Sequence, residues 1–432
     1  MALTLVSYSE AAEQVHLFIL ALAEQSATPA HSVSPEIVPL TAAAGRVLVA
    51  PIRADRDQPP FPRSTRDGFA CRAVEANSHQ LLFRAGQVRA GQVWAGETAS
   101  RSLGTGEVWE IMTGAPVPDG ADAVFMLEHA DQNPGTGQNH EFIRLAASRT
   151  VQPGENIVPR AAEARTGDLL VPPGTRLGAA QIALAAQCGY YELTVAPKPR
   201  VAILTTGDEL VPVESIPGAG LGPSQIRNSN APMLAALVAA AGGIPVVLPA
   251  VPDQEAALDA ALFRALDAGL LLVSGGISAG RFDLVEDAVT RMGARFFFGG
   301  VAIQPGKPVA FGQLPRLGQT PLPFFALPGN PISSAVTFHL FAAPLLAALS
   351  DDTAPQPRFA LAHLTGNWSG KPGLTRFLPA HCDFGPTPEV RLVPWQGSGD
   401  LAAFARSNCL LVIPAEVHEI PEGSTVQILL TC

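Results

Sequence analysis

Residues 8–26 (YSEAAEQVHLFILALAEQS) place apolar side chains at helical spacing, with Leu17, Ile19, Leu20 and Leu22 on the predicted stripe and Ser9 as a candidate N-cap. Residues 38–50 run through Gly45 into a short apolar strand. From 51 to about 150 the period shortens. Runs such as QLLFRAGQV, GEVWEIMTG, ADAVFMLEHA and HEFIRLAA alternate with the turn clusters VPDG and NPGTGQN, which predicts a small inserted β domain. Residues 151–196 return to extended pieces, a helix over 178–188 and a short strand, YYELTV; with 1–50 they are assigned to one N-terminal domain.

From 198 strands and helices alternate. VAILTT predicts a buried strand. Asn230, with Pro232 in the first turn, opens a helix that Gly242 and Gly243 stop. IPVVLPAV is a second strand, and Asp253 a candidate N-cap for a helix through 268. LLLVSGG is a third strand, followed by a helix through 292 and then RFFFGGVAI. This spacing predicts a doubly wound α/β domain over 197–350, a parallel sheet with helices on both faces. Residues 351–432 read as short strands and turns, a small C-terminal β domain.

At 432 residues the chain has room for two to four domains, and 47% apolar residues argue for packed cores rather than disorder. A net charge of −10 with no basic block excludes bulk binding to nucleic acid or to an anionic membrane surface. Residues 228–252 and 318–350 lack Asp, Glu, Lys and Arg, but glycines and prolines break both, so they read as core strands and helices, with only 332–350 free to be helical. Five cysteines without a C-x-x-C pair argue against a disulfide framework or a cysteine zinc site. They fit a reducing compartment, and the N-terminus shows no signal-peptide pattern, so a cytoplasmic location is expected.

The chemistry concentrates where predicted strands end. In LLLVSGGISAGRFDLVEDAV, glycines follow a buried strand and precede a helix, an arrangement that either receives an anion on free N–H groups or makes a tight crossover. Asp283 in that helix's first turn either complements the helix dipole or ligates a divalent cation, and Asp253 carries a similar ambiguity. TTGDEL brings Asp208 and Glu209 to the same predicted edge. Three acidic strand ends make a candidate metal-assisted phosphate or oxyanion site. QPGKP holds Lys307, one of only three lysines, between prolines beside Gly306, which suits an oxyanion. Read in isolation, PPFPRSTRDGFA, TGAPVPDGADAV and LPGNP are turns.

Together these segments resemble the molybdopterin molybdenumtransferase family (MoeA and the gephyrin E domain). The motifs stand in the family's order over nearly the whole chain: PPFPRSTRDGFA, TGAPVPDGADAVFMLE, GENIVPR, TTGDELV, IRNSN, SGGISAGRFD, and VAIQPGKP followed by LPGNPISS. The resemblance implies four domains, the N-terminal one elongated and the last a β-barrel, and a homodimer whose cleft joins the α/β domain of one subunit to the inserted β domain of the other. It implies Mg²⁺-dependent insertion of molybdate into adenylylated molybdopterin, giving molybdenum cofactor and AMP.

By motif, Glu209, Asp253 and Asp283 match the family's active-site acids and Mg²⁺ ligands, with Lys307 beside them. Asp67 and Thr113 match residues contributed across the dimer. Ser274, Gly275, Gly276, Ser278 and Gly280 would cradle the pterin phosphate, with Pro305, Gly306, Pro328, Gly329 and Asn330 lining the cleft. Arg376 and Ser398 match cleft positions of the last domain, on shorter motifs. The implied protein partners are a molybdopterin adenylyltransferase and the apo-molybdoenzymes that receive the cofactor. Arg66, Gly300, Gln304 and Ala161 depart from the pattern; Gly300 and Gln304 replace lysines, which leaves less positive charge for the oxyanion. A tungstate-preferring insertase and a weakened molybdopterin carrier or scaffold are therefore the alternatives. A molybdopterin adenylyltransferase is disfavoured, because it would not need the flanking β domains.

Overall fold

The structure is a computed structural model that describes residues 5–26, 34–88, 102–131, 142–214, 221–276, 284–353 and 356–431. It divides into two compact units. One comprises Met1–Val49, Pro173–Gly178 and Glu192–Cys432, the other Ala50–Pro172 and Ala179–Tyr191.

The first unit is built on a six-stranded sheet. Its order is Ile244–Val247, Arg200–Thr205, Leu270–Ser274, Gln319–Leu327, Ala310–Arg316 and Arg295–Gly299. The first three pairings are parallel and the last two antiparallel. The expected parallel sheet is present and is extended by two antiparallel strands. The reason is local: Leu317 and Gly318, the latter at φ +69°, turn the chain straight back into a hairpin, so no crossover helix intervenes. Alternate residues of the central strands enter opposite cores. Val201, Ile203, Leu270 and Leu272 face Leu234, Val238, Val336 and Phe338. Ala202, Leu204, Leu271 and Val273 face Leu258, Leu262, Val285 and Val289.

The helix Tyr8–Ser26 forms as expected, but its details differ. Ser7, not Ser9, caps it: the Ser7 hydroxyl accepts from Glu10 N (3.2 Å), while Ser7 N donates to the Glu10 carboxylate (2.7 Å). Its buried face is Ala11, Val15 and Ile19; Leu17 and Leu20 are 56% and 47% exposed. Phe18 packs edge-on against Phe311 at 5.2 Å, tying this helix to the sheet.

The apolar segment Pro331–Ala348 is long enough to cross a membrane by length and composition, but Ile332, Val336, Phe338, Phe341 and Leu345 pack into the core. It contains a π turn, Phe338–Ala342.

The C-terminal strands close a barrel. Thr375–Asp383 pairs with both Glu389–Leu392 and Cys409–Ile413, and Phe359–Leu364 and Thr425–Leu430 complete the ring. Ile303–Gln304 joins this barrel by pairing with Thr375 and Arg376.

The second unit carries a six-stranded sheet in the order Ala123–Met126, Gly68–Cys71, Glu107–Ile111, Leu82–Val88, Phe142–Leu145 and Ala130–Asp131. Phe69, Val108, Phe125 and Ile143 fill its core.

Candidate functional site

The ends of the Arg200–Thr205 and Leu270–Ser274 strands meet at one edge of the sheet, where Thr206 N donates to Ser274 O (3.1 Å). Gly275 follows at φ +98°; a Cβ there would sit 2.3 Å from Thr206 O, so only glycine lets the two strand ends approach. Gly275 N donates to Leu327 O (3.3 Å), so an anion cradle in this loop must draw its donors from farther along. Gly276 is also crowded, because a Cβ would lie 2.7 Å from the Val285 side chain. Ser278, Gly280 and Asp283 lie outside the described residues.

Asp253 takes a different role from the expected N-cap. The helix Glu255–Ala265 is preceded by Gln254 without a side-chain cap. Instead Asp253 Oδ1 accepts from Thr206 Oγ1 (2.5 Å), and its backbone N–H donates to Asp208 Oδ1 (3.0 Å). Asp253 is thus held to the TTGDEL loop. Glu209 folds back over Gly207, where a Cβ would lie 2.7 Å from the Glu209 carboxylate. Among the described residues no three Asp, Glu, His or Cys gather as a metal cluster. The carboxylates of Glu209 and Asp253 on this loop and its neighbour are nonetheless oxygen donors of the kind Mg²⁺ takes in ones and twos with substrate oxygens.

The IRNSN segment has structural roles that its motif alone did not reveal. Asn228 donates to Thr205 Oγ1 (2.8 Å) and accepts from Ala231 N (3.2 Å). Asn230 Nδ2 donates to both Ser274 Oγ (2.8 Å) and Gly329 O (2.7 Å). Ser274, 2% exposed, also contacts Pro328 O and Ser334 Oγ, so its hydroxyl is a buried knot between loops. Asn230 and Ser334 were absent from the sequence-based candidates. Their signal was the motifs IRNSN and LPGNPISS, which contain them.

LPGNP closes against this knot. A methyl group on Gly329 would lie 3.7 Å from Gly275 Cα. Asn330 precedes the helix Pro331–Thr337 without using its side chain as a cap. The barrel's QGSGD loop reaches the same place, with Ile332 N donating to Ser398 O (3.0 Å).

QPGKP is held from two sides. Gly306, at φ +112°, presses on Thr337, and Pro305 is buried. Lys307 is exposed, and its ammonium has no partner among the described residues. Arg376, 9% exposed, donates to Gln304 Oε1 (3.0 Å), Leu374 O (3.2 Å) and Lys371 O, and lies over the Trp368 ring at 5.6 Å. Its guanidinium is therefore committed to fixing the QPGKP loop on the barrel.

In the second unit, Asp67 and Thr113 are brought together. Asp67 Oδ1 accepts from Thr113 N (2.7 Å) and Thr113 Oγ1 (3.0 Å), and these bonds, the backbone one first, hold the carboxyl below its ordinary range. Arg66 is exposed beside them, its backbone tied to Ser64.

Comparison with known proteins agrees with this architecture. The chain matches the MoeA N-terminal region (domain I and II) over residues 6–189, a probable molybdopterin binding domain over 202–348, and the MoeA C-terminal region (domain IV) over 362–431. It is 34% identical over 403 residues to molybdopterin molybdenumtransferase 2 of Mycobacterium tuberculosis, covering 91% of this chain and 94% of that protein. It is 33% identical over 394 residues to the molybdopterin molybdenumtransferase of Bacillus subtilis, covering 89% and 87%. The crystal structure of the molybdopterin biosynthesis MoeA protein from Pyrococcus horikoshii OT3 superposes with a TM-score of 0.77 at 27% identity, over 99% of this chain and all of that one (100%). The chain belongs to the molybdopterin molybdenumtransferase family, enzymes of molybdenum cofactor biosynthesis.

Proposed function

We propose that the protein inserts molybdenum from molybdate into adenylylated molybdopterin, releasing molybdenum cofactor and AMP. The observation that carries this reading is the meeting of the SGG, LPGNP and QGSGD loops at one sheet edge, through Asn230, Gly329 and Ser398. Ligands of open α/β sheets bind at that edge. The exposed Lys307 ammonium offsets the charge of a phosphate or oxyanion there, while Arg376 holds the QPGKP loop in place. Asp253, locked by Thr206, keeps its carboxylate on the TTGDEL loop. Glu209 and Asp253, with Asp283, would hold Mg²⁺, which when bound screens the pyrophosphate charge.

In the same reading the protein is a cytoplasmic homodimer, and Asp67 and Thr113 of one subunit complete the cleft of the other. Four of its cysteines, Cys71, Cys188, Cys382 and Cys409, are buried free thiols, which suits a reducing compartment.

Turnover tests this. Purified protein is given adenylylated molybdopterin, Mg²⁺ and molybdate, with tungstate in parallel, and both AMP release and cofactor formation are followed. Molybdate turnover is expected. Turnover with tungstate alone would replace molybdate as the substrate, and tight pterin binding without AMP release from either oxyanion would make the protein a carrier.

A further inference from the structure

We propose that the second unit carries a binding pocket for a small aromatic phosphate of the nucleoside monophosphate class. The pocket is a cleft open to solvent with a volume of about 280 Å³, near the lower end of ligand clefts, which suits a mononucleotide and not a dinucleotide.

Its charge is cationic and incompletely used. Arg56 and Arg63 both line it, against one carboxylate, Glu163. Arg63 gives one N–H to Glu163 Oε1 (2.6 Å). Its Nε is covered by protein yet has no acceptor among the described residues, a donor that buried groups rarely leave unfilled. Arg56 is exposed and has no acceptor among the described residues. Two guanidiniums against one carboxylate leave a net positive charge, and the planar N–H fork is the geometry that phosphate oxygens accept.

Part of the lining is apolar. Phe61 is 40% exposed, and Pro59 and Pro60 beside it have no N–H to offer. That surface recognises a ligand only by contact, and a planar ring is what stacks on it. Two more lining residues are fixed: Gln187 donates to Gln58 Oε1 (3.1 Å) and Gln58 donates to Cys188 Sγ (3.2 Å). Gly114 lines the same pocket, immediately after Thr113 of the Asp67 pair. The pocket and its charge stand on their own; the choice of AMP as the nucleotide rests on the reaction proposed above.

The test is calorimetric titration of AMP into the full chain, with adenosine and inorganic phosphate in parallel. AMP is expected to bind more tightly than either fragment. Arg56→Ala should weaken it at least tenfold and Phe61→Ala several-fold, while Glu163→Gln, which removes the competing carboxylate, should tighten it. Arg56 is exposed and has no side-chain partner among the described residues, so R56A should keep the wild-type melting temperature, which separates lost binding from lost folding. The proposal is overturned if AMP does not bind, if R56A and F61A bind it like wild type, or if inorganic phosphate binds as tightly as AMP. Turnover by the wild type is read separately. Normal turnover with AMP binding unchanged in R56A would sink the pocket and leave the reaction standing; AMP binding lost in R56A, without wild-type turnover, would do the reverse.

Discussion

Asp67 shows how little of a residue's role its motif conveys. In DGFA it reads as turn chemistry; in the fold it accepts two hydrogen bonds from Thr113, forty-six positions away. Because those bonds stabilise the charged form, the folded carboxyl titrates below its unfolded value. Their contribution is present above the ordinary carboxylate range and fades as pH falls through the lowered one. Thr113→Ala removes the hydroxyl and should move the Asp67 titration upward, read by carbon-detected NMR. Gly275 allows a sharper test. G275A meets both a positive φ and the Thr206 carbonyl, so it should lower unfolding free energy by about 2 kcal/mol or more, measured in urea. The glycine pattern of SGG was legible in the sequence; that its first N–H is already spent on Leu327 was not, because the partner lies more than fifty residues on. Asn230 escaped for a similar reason, since its partners Ser274 and Gly329 come from a strand end and a loop far along the chain.

Among the elements, strong periodicity was read well and punctuation badly. The strands VAILTT and LLLVS are continuous apolar runs and emerge as the sheet's buried centre. Gln319–Leu327 was hidden by Pro321 and Pro323, which look incompatible with a central strand. They are tolerated because pairing with Leu270–Ser274 begins only at Phe324, so the prolines sit where the strand has one neighbour. The N-terminal helix was correctly expected, but its face was rotated toward exposed leucines. Ile19→Ala should therefore cost about 2–4 kcal/mol and Leu17→Ala about 0.5 or less, compared by thermal or urea unfolding. The π turn carries a second test. Burial, with Arg358 nearby, pushes His339 down to about 4 from an ordinary 6.5. The unfolded chain then binds the extra proton between those values, so stability falls as pH drops through that window. H339Q should flatten this loss relative to wild type, seen in urea midpoints at pH 7 and 4.5.

For the whole molecule, the motifs named the family while the geometry assigned the work. Arg376 and Lys307 look alike as cations in the sequence, yet one is fully engaged within the barrel and the other stands exposed. If the cleft is completed across a homodimer, D67N and D253N should each abolish turnover, and mixing the two after subunit exchange should restore about a quarter of wild-type activity, since half the dimers then hold one intact cleft. Remixed variants that remain inactive would place both acids in one subunit's site. The strand Glu36–Pro39 has its partner at Glu192–Val195, beyond the entire second unit. During synthesis at about 5–20 residues per second, that partner leaves the ribosome roughly 8–30 s after the strand does. The second unit, whose own sheet lies within Gly68–Leu145, can meanwhile close on itself. The strand near the beginning of the protein therefore keeps an open edge until a sequence far downstream has been translated.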